Sequence, residues 1–397
     1  MAFKAFVILY VLLYFGSFHN EAIVKGNNLN DLNSELPPIK DILTKHGDTY
    51  DCVDIYKQAS FKNPLLWNHT IQMRPSHHVR KLRAKMLSKK LSPGHRYAKI
   101  KLDEACPKGT VPVLRVADKD QLKNVSNLNK SRFFPNDDQW KHGLEFAGIF
   151  AKTTPDKKYK GVSGVMTVWN PKHVGPNQYS SVAISAEVGE GPDYTRIQFG
   201  WTVFPLQFQD SFTHWFFQVT NITNVPGCFD LNCQGFVQIN TQVPIGTAIH
   251  DVSDYGTDDQ VFLRFSLLQD PKKESPWWLF YNEEPTPIGY FSNKLFTKLS
   301  DGADTLKWGG YVFTQPGDET SPQMGSGKFD NGIYQRTANM INVRYIDNNY
   351  QLVNSPNDIQ TAESRCYLEG DQSYKNNKVG YTFCFGGKGG TEEKCNL

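Results

Sequence analysis

The second half of the chain alternates short apolar runs with glycine, proline, asparagine and aspartate. Runs of this kind, rich in Val, Ile, Phe, Trp and Tyr and bounded by turn residues, predict β-strands. Many strands at close spacing favour an antiparallel sandwich or barrel. There are eleven such runs: SGVMTVW, SVAISAEV, RIQFGWTVF, THWFFQVT, GFVQIN, QVFLRFSLL, WWLFYN, TPIGYF, LKWGGYVF, NMINVRY and YTFCF.

In RIQFGWTVF the apolar side chains of Ile197, Phe199, Trp201 and Val203 alternate, so a period of two puts them on one strand face. The opposite face then carries a polar set beside a glycine, namely Gln198, Gly200 and Thr202. We expect this second face to line a cleft, with Gln198 as its working side chain.

LKWGGYVF repeats the arrangement. One face carries Leu306, Trp308, Gly310 and Val312, and the other carries Lys307, Gly309, Tyr311 and Phe313. A glycine again flanks the polar side chain, because Gly309 precedes Tyr311 on its face, and glycine leaves room for a peptide backbone to approach.

Helices are predicted at two places. LPPIKDILTKH has prolines at its start and Gly47 just past its end, and SNKLFTKLSDGA has Ser292 as a candidate N-cap. The first falls in an N-terminal unit, residues 25–129, and the second in a unit spanning 132–397. The polar, proline-punctuated stretch 124–139 between the two units is typical of an exposed linker.

The first 22 residues resemble a secretory signal peptide, because Lys4 precedes an apolar run too short to span a bilayer. We therefore expect an exported protein that reaches the extracellular space or the cell wall. Four Asn-x-Ser/Thr sequons agree with export: Asn68, Asn124, Asn129 and Asn221. In an oxidising compartment the seven cysteines predict disulfides rather than a metal site.

The net charge of +3 says little about partners, but residues 74–101 are rich in Lys and Arg and contain no Asp or Glu. In a secreted chain this segment favours a solvated, processable or acid-surface-binding role over nucleic-acid binding. The chain has no Gly-x-Ser-x-Gly elbow, His-Glu-x-x-His or P-loop. We expect no metal and no cofactor, so any chemistry would come from carboxylates.

Several ordered motifs resemble the neprosin family of plant secreted proteins: YDCVDIYKQASFKNPLLWNHTIQMRPS, CPKGTVPVLR, DLNCQGFVQINTQVPIGTAI, YGTDDQVFLRFSLLQDPKKESPWWL, IGYFSNKLF, LKWGGYV and QMGSGKF. The resemblance implies an all-β fold, an antiparallel β-sandwich with a cleft, preceded by a small mixed α/β prosegment that acts as an activation peptide. It also implies a zymogen of a glutamic endopeptidase that cleaves next to proline.

The resemblance places the family's two catalytic glutamates, in motifs of the form IEAGW and WGGEV, at Gln198 and Tyr311. Both carboxylates are therefore replaced. Glutamine hydrogen-bonds an oxyanion but accepts no proton, and tyrosine, with a pKa near ~10, is a poor base at acid pH. Other acids near these positions in sequence, which we read as loop carboxylates, are Glu187, Glu190, Asp193, Asp210 and Glu319.

Under the same resemblance we expect disulfides Cys52–Cys106, Cys228–Cys233 and Cys366–Cys395, which leave Cys384 over. Pairing of Cys384 with Cys395 is an alternative.

Three functions follow as hypotheses. The first is a pseudopeptidase that binds proline-containing peptide or wall polymer in its cleft, and the second is an active acid endopeptidase with a rearranged dyad. The third is a carbohydrate-binding sandwich that uses its tryptophans, although their alternation favours a core role. The sequence does not indicate an oligomeric state.

Overall fold

A computed structural model describes residues 38–87, 95–115, 143–154, 156–222, 225–230, 233–272, 274–315, 317–354 and 356–391. The signal segment, the linker with Asn124 and Asn129, and Cys395 lie outside these residues. The strands are β1 Lys40–Leu43, β2 Thr49–Asp54, β3 His95–Tyr97, β4 Thr110–Leu114, β5 Leu144–Lys152, β6 Gly161–Thr167, β7 Tyr179–Val188, β8 Thr195–Val203, β9 Thr213–Ile222, β10 Val225–Phe229, β11 Phe236–Gln238, β12 Ala248–Ile249, β13 Gln260–Gln269, β14 Trp277–Tyr281, β15 Gly289–Phe291, β16 Thr305–Phe313, β17 Thr320–Ser321, β18 Ala338–Ile346, β19 Leu352–Val353, β20 Ile359–Ala362, β21 Leu368–Asn376, β22 Gly380–Gly386 and β23 Gly390–Thr391. The α-helices are α1 His77–Leu87 and α2 Pro205–Phe208, and short 3₁₀ turns cover Ala59–Lys62, Pro64–Leu66, Gly191–Asp193, Asn293–Leu295 and Leu299–Asp301.

Two antiparallel sheets pack face to face. The front sheet has the strand order β10-β9-β8-β7-β16-β5-β20, with β12 beside β9. The back sheet has the order β11-β15-β14-β13-β6-β18-β22-β21, with β19 beside β18 and β3 beside β13. Their inner faces meet in one apolar core, where the rings of Phe199 and Trp215 approach Phe265 at 5.7 and 5.9 Å. The predicted β-sandwich is confirmed.

All eleven apolar runs form strands, at β6, β7, β8, β9, β11, β13, β14, β15, β16, β18 and β22. The alternation also predicted which side chains face the core, since Ile197, Phe199, Trp201 and Val203 are completely buried. Five tryptophans considered as sugar-stacking residues are core residues with no exposed surface: Trp201, Trp215, Trp277, Trp278 and Trp308.

Both helix predictions are wrong. Lys40–Leu43 of the first segment forms strand β1, because Ile42 pairs with Tyr50 of β2 and both side chains enter a small apolar cluster with the Cys52–Cys106 disulfide. In the second segment, Asn293–Leu295 and Leu299–Asp301 are separate 3₁₀ turns, and Ser292 makes no capping hydrogen bond through its side chain. Tertiary packing outweighs local propensity in both segments.

The N-terminal unit, here residues 38–115, lies against the outer face of the back sheet. Its own sheet has the order β1-β2-β4, while β3 pairs in parallel with β13 of the sandwich. Helix α1 buries Val79, Leu82 and Met86, and Gln58 exchanges hydrogen bonds with the backbone of Gln238. The outer face of the front sheet therefore lies on the opposite side of the sandwich from α1.

Candidate functional site

Gln198 and Tyr311 lie on the outer face of the front sheet, and strand β7 separates their strands. Gln198 of β8 is opposite Ser185 of β7, and Tyr311 of β16 is opposite Ser181 of β7. The two side chains line the same small cavity, together with Thr202 and Gln218. The fold thus brings together two positions that are more than a hundred residues apart in sequence.

A row of small residues crosses the sheet between these two positions. Gly200, Ala183, Gly309 and Gly148 are neighbours on four consecutive strands. A Cβ atom at position 200 would lie 2.0 Å from the carbonyl oxygen of Val182. At position 309 a Cβ atom would lie 2.3 Å from that of Ala147. The close approach of neighbouring strands therefore requires glycine at both positions.

Tyr311 is a packed aromatic residue. Its side chain is 2% exposed, and its ring centre lies 4.7 Å from that of Phe146. Burial raises the pKa of Tyr311 far above its ordinary value, and the nearby Glu187 carboxylate raises it further. Ser185 lies beside the hydroxyl and lowers this pKa slightly, yet the hydroxyl makes no hydrogen bond of regular geometry. Tyr311 therefore stays neutral.

Gln198 faces a second amide. It is 4% exposed and stands opposite Gln218 of β9, whose Oε1 accepts a hydrogen bond from Arg196 Nη2 at 3.1 Å. The cavity between Gln198 and Tyr311 measures about 10 Å³, which is roughly the space for one water molecule. In this state the two positions do not face open solvent.

Aromatic side chains cover the cavity. Phe204 and Phe229 pack at 6.2 Å, Phe229 stacks on Phe216 at 5.3 Å, and Tyr179 stacks on Phe313 at 5.6 Å. These aromatic residues come from the start of β7, from β9, from the ends of β10 and β16, and from the turn between β8 and α2.

A buried charge network lies next to Gln198. Glu187 of β7 is 2% exposed, and its carboxylate binds Lys307 Nζ at 2.9 Å and the Ser185 hydroxyl at 2.6 Å. Arg196 is opposite Glu187 on β8. Burial by itself would raise the pKa of Glu187, but Lys307, Arg196 and Ser185 outweigh burial and lower it. Glu187 is therefore ionised and held between two cations.

An open groove of about 920 Å³ begins at this network. Lys307, Glu187 and Tyr194 form its inner end, and segments 314–321 and 362–365 form its far wall. The charged residues that line the groove are mostly acidic: Glu145, Lys152, Glu187, Asp304, Lys307, Asp318, Glu319, Glu363 and Arg365. The groove therefore carries more negative than positive charge.

Residues 176–388 match the family described as Neprosin, and residues 41–146 match the family described as Neprosin activation peptide. The chain belongs to the neprosin family. Two crystal structures of scytalido-glutamic peptidase, one with a peptide based transition state analog and one with a transition state analog inhibitor, are also similar. Their TM-scores are 0.29 and 0.31, at 10% and 12% sequence identity. Each alignment covers 62% of this chain and 98% of the peptidase chain.

In this neprosin-family chain the predicted cleft residues are divided between two environments. Lys307 lines the open groove. Thr202 is instead buried, with 1% of its surface exposed, and its Oγ1 accepts a hydrogen bond from Ser181 Oγ at 2.7 Å. Our interpretation of Glu187 as a loop carboxylate is wrong, because it sits within β7. Its place on the polar face could have been read from the alternation of Ser181, Ser185 and Glu187 in SVAISAEV.

The other four acids lie farther from the two positions. Glu190 and Asp193 are exposed and pair with Lys152 and Lys298, and Asp210 contacts His214 at 3.0 Å. Glu319 is exposed and lines the groove.

The disulfides Cys52–Cys106 and Cys228–Cys233 are both present. Cys366 is also disulfide-bonded, while Cys384 is a buried free thiol. Asn68 is exposed, as a glycosylation acceptor must be, and Asn221 lies in β9. Among the described residues there is no group of three or more metal-ligating side chains and no helix long and apolar enough to cross a membrane.

Proposed function

We propose that this chain is a secreted neprosin-family pseudopeptidase, which binds proline-containing peptide or wall polymer in its groove without hydrolysing it. The observation that carries the proposal is the pair Gln198 and Tyr311 in one closed cavity. Hydrolysis of an amide by two carboxylates needs one ionised and one protonated member. Here an amide and a neutral, buried phenol occupy the two positions, and neither exchanges a proton at acid pH.

The groove favours a cationic peptide over a neutral polymer as the ligand. Its acidic residues outnumber its basic ones, and complementary charge speeds association and selects partners. We expect a labelled proline-containing peptide with Lys or Arg to bind more tightly than the same peptide with Glu at those positions. Replacing Glu319 and Glu363 by Gln should reduce the difference between the two peptides. Equal binding of both peptides would instead favour an uncharged wall polymer.

The catalytic part of the proposal is tested by restoring both carboxylates. The double variant Gln198→Glu with Tyr311→Glu should cleave a proline-containing peptide at pH 3 to 5. The wild type, either single variant, and a matched Gln198→Glu with Tyr311→Gln variant should not. A proton-transfer group typically contributes ~10²- to 10⁴-fold to the rate, so a gain of that order is expected. Ordinary turnover by the wild-type protein would show that the proposal is wrong.

One observation favours the alternative of an active acid endopeptidase. Glu187 is a buried carboxylate on the same sheet face as Gln198, two residues from the partner of Gln198 on β7. An amide and a carboxylate form a possible rearranged pair. Lys307 and Arg196 lower the basicity of Glu187, however, which weakens it as a proton acceptor. Wild-type cleavage that disappears in Glu187→Asp, with the fold retained, would establish this alternative.

A further inference from the structure

Three arginines are buried where the N-terminal unit meets the back sheet. Arg83 comes from α1, Arg264 from β13 and Arg344 from β18, and each is 2% exposed. Arginine is almost never fully buried unless its charge is paired. Arg83 and Arg344 therefore need a source of negative charge or of hydrogen-bond acceptors.

The sheet register brings the three side chains together. Ser163 of β6 is opposite Ser266 of β13 on one side and Arg344 of β18 on the other. Arg264 is two residues from Ser266, on the same strand face. Arg83 reaches down from α1 and donates from Nη1 to Ser266 Oγ at 2.9 Å.

Neutral groups satisfy only some of the guanidinium donors. Arg83 also donates to the carbonyl oxygens of Tyr281 and Asn282, and Arg344 donates to the carbonyl oxygen of Met86 at 3.0 Å and to Asn342 Oδ1. Neither Arg83 nor Arg344 forms a salt bridge with a carboxylate of the described residues. Glu283 and Glu284 act on Arg83 from a distance without a hydrogen bond to it, and Glu284 is bound to Lys101 at 2.9 Å.

Three buried donors of the cluster have no hydrogen-bond partner, namely Arg83 Nε, Arg344 Nε and the hydroxyl of Tyr97. Tyr97 lies in the middle of the cluster, since the Arg264 guanidinium lies 5.5 Å from its ring centre and the charges of Arg83 and Arg344 also act on it. Burial and the repulsion from Arg264 lower the pKa of Arg83 to about 9 and that of Arg344 to about 10. Buried polar groups in native proteins are nearly always paired, so these donors point to a missing acceptor.

We infer that a small inorganic anion binds among Arg83, Arg264, Arg344 and Tyr97. Chloride and the oxyanions sulfate and phosphate share the needed chemistry, which is a compact negative charge that accepts several hydrogen bonds. A polymeric or peptide anion does not fit, because all three arginines are buried beneath the N-terminal unit. The anion would balance the buried like charges of Arg83 and Arg344, whose burial costs free energy.

The site joins two units of the chain. Arg83 belongs to the N-terminal unit and the other two arginines belong to the sandwich, so an anion here would contact both. A ligand that binds only the folded state stabilises it by an amount that grows with ligand concentration. Anion binding should therefore hold α1 on the back sheet.

The test is the thermal unfolding midpoint of the intact chain in sulfate, phosphate, chloride and gluconate at matched ionic strength. Gluconate, a large and weakly binding anion, is the reference. We expect at least one small anion to raise the midpoint saturably by roughly 3–6 °C. An equal midpoint in all four salts would overturn the inference. The anion that acts at the lowest concentration identifies the preferred ligand.

Arg264→Met locates the effect. Its control is Arg336→Met, at an exposed arginine outside the cluster. The first variant should lose the anion response, and the second should keep it. A full response in Arg264→Met would place the anion elsewhere and overturn the inference. If Arg264→Met does not fold, crystals of the wild-type protein soaked in bromide should show an anomalous peak between Tyr97 and Arg344, and its absence would also overturn the inference.

Discussion

The sandwich buries charge on both of its outer faces but balances that charge differently. On the front sheet Glu187 lies between Lys307 and Arg196, so cations and a carboxylate share one network. On the back sheet three arginines lie together, and the carboxylates that act on Arg83 stand at a distance. The front face is complete within its own sheet, whereas the back face is covered by another unit of the chain.

The difference suggests what each face is for. The front network lies beside Gln198 on the outer face of its sheet, and it fixes Glu187, Lys307 and Arg196 in place. The back cluster gains its hydrogen bonds from the N-terminal unit, through Arg83 and the carbonyl of Met86. We therefore expect loss of an acidic side chain on the front face to lower the free energy of unfolding. On the back face we expect a gain of positive charge to lower it.

The largest effect is expected for Glu187→Gln. The substitution leaves Lys307 and Arg196 facing an uncharged side chain in a buried site. Breaking one partner of a buried ion pair typically costs about 3–5 kcal/mol. Denaturant unfolding at neutral pH should show a loss of this order in the free energy of unfolding.

Glu190→Gln is the matched control, because Glu190 has an 88% exposed side chain and pairs with Lys152 at 3.5 Å in solvent. An exposed pair of this kind contributes at most about 1 kcal/mol. If Glu187→Gln were as mild as Glu190→Gln, the front network would not hold its charges as described.

A smaller effect is expected at the back face on acidification. His69 contacts the hydroxyl of Tyr290 through Nε2 at 2.6 Å, and burial, followed by repulsion from Lys294, lowers its pKa despite the attraction of Glu274. The unfolded chain then binds the proton more readily than the folded protein. This contribution to stability is complete above the unfolded pKa of 6.5 and is lost as the pH falls below that value.

His69→Gln keeps a hydrogen-bonding side chain that does not titrate. Between pH 7 and pH 5 the wild type should therefore lose more of its urea unfolding free energy than this variant. The comparison with the variant cancels the contributions of other titrating groups to the pH dependence of stability. One of these is the buried carboxyl of Asp230, whose raised pKa increases stability as the pH falls. Parallel pH profiles would mean that His69 is not a charge-sensitive contact.

The sequence predicts side-chain direction within the strands but not which strands pair. Alternation placed Ile197 and Trp201 in the core and Gln198 and Tyr311 on the opposite face, because side-chain direction in a strand follows from position alone. It also predicted a sandwich. The pairing of strands could not be predicted from the sequence, because β16 pairs with β7 through residues more than a hundred positions apart.

The errors have physical causes. KDIL was read as helix, but its strand is formed by pairing with β2 and by the cluster around Cys52. Glu187 is not a loop carboxylate, and only the pairing of β7 with β8 and β16 brings Arg196 and Lys307 to it. Strand β5, with the sequence LEFAGIFAK, is not among the predicted strands.

The smallest effect is expected for Tyr311→Phe, which tests whether the Tyr311 hydroxyl contributes to stability. The hydroxyl is buried and without a regular hydrogen bond, and leaving a polar group unsatisfied costs about 1–3 kcal/mol. Removing it while keeping the ring against Phe146 should leave the free energy of unfolding unchanged or raise it by up to about 1 kcal/mol. Tyr290→Phe is the control, since that hydroxyl contacts His69 and accepts from the Gln72 amide at 3.0 Å, and its loss should be destabilising. Equal losses in the two variants would mean that the Tyr311 hydroxyl has a partner, whereas the expected contrast would show that position 311 contributes to stability through its ring and not through its hydroxyl.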